Sequence, residues 1–489
     1  MRSCSLSHTS QANDFIPAAW IEWAAQHVNL SRMDMRLPFL CAVRLLAGLP
    51  LWLSLAAAPA SAQPLALPGP PVTVPGVQGA RVLGDLLAPL EPTLDAVTTP
   101  LRDAPWELRH ALARTLLAQH RRELEADPAG NPIVRAELLL YDPSPATLAA
   151  AEAAGLHVVE RRELAGLEAV LVRLAVPQGL STRRALERLQ KAAPGAAADY
   201  NHLLQPVGGD EPPNAAGAQS RRAAAGSGPE RVPPGPAPAA IGLIDSGVDF
   251  AHPALAGHGS SQAGCTSGTL PAAHGTAVAS LLAGAAGDFH GAAPGSRLVA
   301  VDVYCGRATG GATDQVAAAF ASLVQAQVAL INVSLVGPRN AVLAAAVAAT
   351  QARGILVVAA VGNDGPAAAP LYPAALPGVI AVTGVDAQGR LLPEASRSPQ
   401  LQFAAPGSGL RAADLAGGYA LVRGTSYAAP LVAGLLAREL QIDSPGAAAQ
   451  AVDRLAAHIP PEPHRDASRF GRGLVGMQFL DTAPQHPRL

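Results

Sequence analysis

From residue 240 onward the chain alternates short, continuously apolar runs with longer stretches of small apolar residues at helical spacing. Apolar runs at 240–244, 297–304, 328–334, 355–361 and 379–385 predict strands; the stretches 274–286, 312–325, 340–352 and 425–440 predict helices. Strands apolar on both faces, each followed by a helix, imply an α/β domain: a parallel sheet covered by helices on both sides. In such sheets the sites lie beyond the carboxyl ends of the strands.

The pattern upstream is different. Strand-like 133–141, helical 144–154, strand-like 156–160 and 167–176, helical 181–193 and an extended piece at 199–204 follow in the order β-α-β-β-α-β. That is a small α+β, ferredoxin-like plan over 133–205. Helical spacing runs through 81–127, as in Leu83, Leu86, Leu87 and Leu90, then Leu108, Leu112, Leu116 and Leu117, within a Pro-rich and helical region at 63–132. No function is legible in it. Residues 206–238 hold little but Pro, Gly, Ala and charge, with Arg221-Arg222 in the middle, and predict a flexible, cleavable linker ahead of a domain at 239–489.

Composition changes this picture only at the N-terminus. Arg36, the apolar run 37–57 and the small-residue end Ala60-Ser61-Ala62 read as a secretory signal within a 1–62 extension. Arg44 interrupts the run and no basic stop follows it, which argues against a membrane anchor. Residues 1–34 do not fit a signal, and Met33 or Met35 offers a start that excludes them. Export implies a periplasmic or extracellular protein. Removal of the signal reduces four cysteines to Cys265 and Cys305, expected as a disulfide, with two free thiols as the alternative. A net charge of −2 gives no electrostatic reason for nucleic acid or an anionic membrane as partner.

Four polar residues fall where the predicted strands end or the helices begin. Asp245 directly follows the run Ile241-Gly242-Leu243-Ile244, and His274 opens His274-Gly275-Thr276. Asn363 ends Ala360-Val361-Gly362-Asn363, and Ser426 lies in Gly424-Thr425-Ser426-Tyr427-Ala428-Ala429-Pro430 ahead of an apolar helix. Pro430 is expected in that helix's first turn, where a missing N–H costs nothing. Ser426 then stands at a helix N-terminus, beside free N–H groups that could stabilise negative charge on an attacked carbonyl. Taken singly, each has an ordinary reading: an Asp turn, a satisfied histidine, a left-handed Asn, a serine helix cap. In this order and together, they point to nucleophilic catalysis.

Asp245-Ser246-Gly247, His274-Gly275-Thr276 and Gly424-Thr425-Ser426-Tyr427-Ala428-Ala429-Pro430 resemble the three signatures of the subtilisin-like serine proteases, the subtilases, over roughly residues 239–460. The chain order Asp, His, Ser is the subtilisin order. The resemblance implies Ser426 as nucleophile, His274 as general base and Asp245 as its orienting partner, with Asn363 and the Ser426 N–H as oxyanion hole. It also implies that Ser334, Leu335 and Val336, with Ala360, Val361 and Gly362, hold an extended polypeptide substrate as an added strand.

The ferredoxin-like unit similarly resembles the family's propeptide, a folding assistant and inhibitor. The whole is then a zymogen: an exported serine endopeptidase, partnered and inhibited by its own propeptide, that cuts itself between Pro206 and Pro238, acting as a monomer. A catalytically silent subtilase-fold protein that binds peptides or chaperones a partner, and an esterase or transferase acting on small acyl compounds, are the alternatives. The chain departs from the family at four places. Ala254 follows His252-Pro253 where many relatives carry a calcium-ligating aspartate, and 283–291 lacks their asparagine-rich loop, so no metal is expected at the usual high-affinity calcium site and no cofactor elsewhere. Val336 replaces a frequent glycine, and Leu371 precedes Tyr372-Pro373 where small residues often floor the specificity pocket. Both imply small or medium apolar side chains at the cleaved position.

Overall fold

The computed structural model describes residues 105–206, 209–210, 240–266, 268, 270–307, 309–440, 447–460 and 466–480. The chain divides into units 1–78 and 79–489. The first unit, with the expected signal, lies outside the described residues, as do 79–104 and, of the expected linker at 206–238, residues 207–208 and 211–238.

The N-terminal part opens with α1 (Pro105–Gln119), β1 (Leu124–Ala126) and β2 (Pro132–Tyr141), then α2 (Pro145–Ala153), β3 (His157–Leu164) and β4 (Ala169–Ala175). It closes with α3 (Thr182–Ala192) and β5 (Ala197–His202). The β-α-β-β-α-β order of 133–204 is therefore present, as an antiparallel sheet in which β2 sits between β5 and β4. Helical spacing through 127 does not hold. Leu124, buried against Leu203 and Ala312, is drawn into the sheet as part of β1, paired with β2.

Two strand pairs then leave this domain for the next. β6 (Gln205–Pro206) lies antiparallel to β14 (Leu335–Val336), and β7 (Gly209–Asp210) lies antiparallel to β19 (Tyr419–Arg423). The expected linker start at 206 is thus corrected, because the open backbone of two sheet edges claims Pro206, Gly209 and Asp210.

The C-terminal domain is built on β8 (Ile241–Asp245), β9 (Ser261–Ala263), β12 (Leu298–Asp302), β13 (Leu330–Val333), β15 (Leu356–Ala360), β16 (Ile380–Val385) and β17 (Leu401–Pro406). A short hairpin, β10 (Ala285–Ala286) with β11 (Phe289–His290), lies outside this sheet, and β18 (Leu410–Ala413) pairs with β19. All seven strands run parallel in the order β17-β16-β15-β13-β8-β12-β9.

Alternate strand residues feed opposite faces, as the two-residue period requires. Leu243, Leu330, Val358 and Val382 join the core under α4 (Ala273–Ala283) and α7 (Thr425–Glu439). Ile244, Ile331, Val357 and Ala381 join the core under α5 (Thr313–Gln325) and α6 (Ala341–Gln351). The predicted parallel sheet with helices on both faces is present. Past α7 the described chain adds α8 (Ala447–Ala457). Among the described residues, no helix is long and apolar enough to cross a membrane.

The N-terminal domain rests its open sheet face on α5 and α6, contributing Leu139, Leu164, Leu167, Leu171 and Leu204 to the same core. A Cβ on Gly166 would stand 2.1 Å from Ala321 O, so only glycine lets that turn meet α5. β5 also completes the ends of both helices. Asn201 Oδ1 accepts from Asp314 N (3.2 Å), where the N-cap of α5 is Ala312 and offers no side chain of its own. Asp199 Oδ2 accepts from Ala341 N (2.8 Å) at the start of α6. These are orphan donors of a helix N-terminus satisfied by another domain.

The helix that carries Ser426 packs tightly. A Cβ on Gly434 would lie 2.5 Å from Ala292 Cβ and 3.0 Å from Ala292 C. Gly434→Val should therefore destabilise the protein by about 1–3 kcal/mol, the usual cost of overpacking. A denaturant midpoint unchanged from wild type would contradict this packing.

Candidate active site

Asp245 ends β8 and is fully buried. Its Oδ1 accepts from Ser246 N (2.7 Å), Ser246 Oγ (3.1 Å) and His274 Nδ1 (2.8 Å). His274 is the second residue of α4. The approach depends on the glycine that follows it: a Cβ on Gly275 would stand 2.2 Å from Ser246 O and 2.7 Å from Gly247 O. Ser246 Oγ also accepts from Gly275 N (3.0 Å), tying the first turn of α4 to the loop after β8. His274 Nε2 has no hydrogen-bond partner among the described residues.

Ser426 is the second residue of α7 and is fully buried. Pro430 lies inside this helix, past the first turn where it was expected. Lacking an N–H, it leaves the Ser426 carbonyl without its i+4 donor. Ser334 Oγ fills that vacancy, donating to Ser426 O (2.9 Å), and Asn332 Nδ2 donates in turn to Ser334 Oγ (3.0 Å). Ser426 Oγ donates to Ser334 O (3.3 Å) rather than to His274 Nε2. The Asp245–His274 bond is made, and the His274–Ser426 link is open in this state.

Asn363 follows β15, and its Oδ1 accepts from both Thr425 N (3.1 Å) and Thr425 Oγ1 (3.0 Å). With the oxygen held, the amide orientation is set, and Nδ2 is the end not bound to Thr425. Beside it Asp364 pairs with Arg109 of α1 (3.0 Å). Burial pushes the Asp364 carboxyl above its ordinary range, against the pull of Arg109.

Of the candidate substrate residues, Leu335 and Val336 form the edge that β6 occupies, while the Ser334 side chain turns inward to Ser426. Ala360 and Val361 are fully buried, and Gly362 N donates to Thr425 Oγ1 (3.1 Å). Leu371 packs on Val336, and a Cβ on Gly362 would stand 2.4 Å from Leu371 Cδ1. The Cys265 and Cys305 sulfurs stand 2.10 Å apart, the separation of a disulfide, across 40 positions that include His274. Among the described residues, Cys265, Asp302 and Cys305 are also the one group close enough to share a metal ion, but a disulfide leaves no thiolate for it.

The family model described as the subtilase family matches residues 238–467. Subtilisin from Bacillus pumilus is 31% identical over 256 residues, covering 49% of this chain and 89% of that protein. Subtilisin E from Bacillus subtilis (strain 168) is also 31% identical, over 64% of its length. The chain belongs to the subtilase family. Among solved structures, fervidolysin from Fervidobacterium pennivorans shares the fold at a TM-score of 0.57 and 20% identity, over 73% of this chain and 62% of that one. The epidermin leader peptide processing protease of Staphylococcus aureus shares it at 0.51 and 18% identity, over 72% of this chain and all of that one.

In this subtilase, sequence reasoning did not single out Thr425 or β19. Thr425 stands beside Ser426 in the signature and signals nothing by type alone. β19 begins directly after Gly417-Gly418, a pair that by type marks a loop. Thr425 Oγ1 accepts from Gly362 N and donates to Asn363 Oδ1, so it links one candidate substrate edge to the Asn363 amide. Thr425→Val keeps the shape and removes both bonds. It should lower kcat about tenfold with little change in KM, the pattern of an interaction used in the transition state. A change in KM alone would assign Thr425 to substrate binding instead.

Proposed function

We propose that this chain is an exported serine endopeptidase made as a zymogen, and that its first substrate is itself. One observation carries the reading: Pro206 is strand-paired with Leu335 and Gly209 with Arg423, so the uncut chain is held on two sheet edges only three residues apart in sequence, and each edge adjoins a residue tied to Ser426. Ser334, next to Leu335 on the first edge, is the residue whose carbonyl oxygen accepts the Ser426 hydroxyl. Gly424 follows Arg423 on the second edge and is the N-cap of the Ser426 helix. The bond between the two residues that separate Pro206 from Gly209, Val207–Gly208, is the one proposed to be cut; both residues lie outside the described set.

In the reaction, Ser426 Oγ leaves Ser334 O for His274 Nε2, which takes its proton and later returns it to the leaving amine. Asp245 holds the imidazole by Nδ1 and stabilises its cation. Asn363 Nδ2 and the Ser426 N–H receive the developing oxyanion. Holding the scissile bond on both edges makes attack effectively unimolecular. Val207 suits a pocket narrowed by Leu371 and Val336, and the same narrowing favours small or medium apolar residues in other polypeptide substrates. The N-terminal domain then serves as the propeptide, leaving a product end on β14 that blocks the cleft until it is removed. Export to the periplasm or beyond provides the oxidising setting for Cys265–Cys305.

Purified Ser426→Ala should remain one uncut chain, while wild type yields a new N-terminus at Gly208 and labels with a fluorophosphonate. Processing of the variant at the same bond in a purified system would overturn self-cleavage, and cutting after Arg221-Arg222 would assign it to another protease. No calcium is required at the family's usual high-affinity site in this reading. Chelation should leave the melting temperature of the processed protein within a degree or two, and a large drop restored by calcium alone would contradict that.

A further inference from the structure

Tyr304 stands just past β12 in the loop that runs to α5, and none of the three family signatures includes it. Its hydroxyl donates to Leu204 O at 2.6 Å. Leu204 N donates in turn to Gly311 O at 2.8 Å, so the main chain at 204 is gripped from both its polar ends. Leu204 leads directly into Gln205–Pro206, the pair seated on β14.

The grip is built from missing side chains. A Cβ on Gly310 would lie 2.4 Å from Tyr304 Cα. One on Gly311, where φ is +75°, would lie 2.9 Å from the phenol oxygen and 2.5 Å from Leu204 O. Two consecutive glycines therefore let the tyrosine ring and an incoming carbonyl meet. Burial, then the charges of Asp245 and Asp302, push the Tyr304 phenol well above its ordinary value. It stays a protonated donor throughout the working range of a protease.

Once residue 204 departs, that hydroxyl needs another acceptor, and a substrate following the same track brings one. We propose that Tyr304 is a substrate-binding residue that donates to the main-chain carbonyl of the fourth residue on the acyl side of the cut, the position Leu204 holds relative to Val207–Gly208. This rests on the protease reading above. Because the bond goes to a carbonyl common to all residues, it selects length rather than sequence: substrates must be extended by at least four residues before the cut.

The test uses the full chain, allowed to process itself, with active sites counted by fluorophosphonate labelling. Two chromogenic peptides share their last two residues and carry two or five residues before the cut. A third is the longer peptide with the fourth residue's carbonyl replaced by a methylene. Tyr304→Phe should lower kcat/KM on the longer peptide about tenfold, mainly through KM, and lower the long-to-short ratio by the same factor. Wild type should lose a similar factor on the methylene peptide, and the variant should lose no more on it. An unchanged long-to-short ratio, or losses from variant and methylene that multiply, would overturn the assignment. Wild type that neither labels nor cleaves would overturn the protease reading, and this inference with it.

Discussion

One displaced hydrogen bond organises the site. Pro430 cannot donate, so the carbonyl of Ser426 lacks its i+4 partner within its own helix. A buried carbonyl left that way costs about 1–3 kcal/mol. Ser334 supplies the donor from the neighbouring strand end, with Asn332 behind it. The helix carrying the candidate nucleophile is thereby fastened to the edge that receives an extended chain. The Ser426 hydroxyl bonds back to the Ser334 carbonyl, so the two residues bracket each other.

The other parts of the site are held by contact between backbones. Gly275 lets α4 settle on the loop after Asp245, and no larger residue would leave the 2.8 Å bond between Asp245 and His274 in place. Thr425 joins Gly362 to Asn363 by a single hydroxyl. Small residues in this chain are thus not filler. With few aromatics, the domain gains its density by bringing helices and strands to closer range.

The N-terminal domain completes what the C-terminal domain leaves unfinished. Ala312 cannot cap α5, and Asn201 of β5 does so; Asp199 adds an acceptor at α6. Thr313 Oγ1 donates to His202 O (3.0 Å) and Asn340 Nδ2 to Tyr200 O (2.9 Å), so the joint is polar and satisfied at both helix starts. His202 Nε2 is 3.2 Å from Asp127 in the same buried layer. Burial alone would raise the Asp127 carboxyl, but its bonds to His202 and Asn131 hold it below the ordinary range. The stability this carboxylate contributes is present at neutral pH and lost as pH falls through its lowered value.

The element grammar was legible in the chain alone. Continuous apolar runs on both strand faces could only be a covered parallel sheet, and each run became a strand within a few residues of its predicted ends. The polar residues at strand ends and helix starts were legible too, because Asp245, His274, Asn363 and Ser426 each interrupt an apolar pattern. Which backbone groups find partners across the fold is settled by folding alone. Short strands such as β6, β7, β14 and β19 have no periodicity of their own; they exist because an open edge elsewhere pairs with them. Tyr304, Thr425 and Ser334 act through single hydroxyls whose partners lie far away in the chain, and hydroxyl residues in a sequence carry no mark of where they will point.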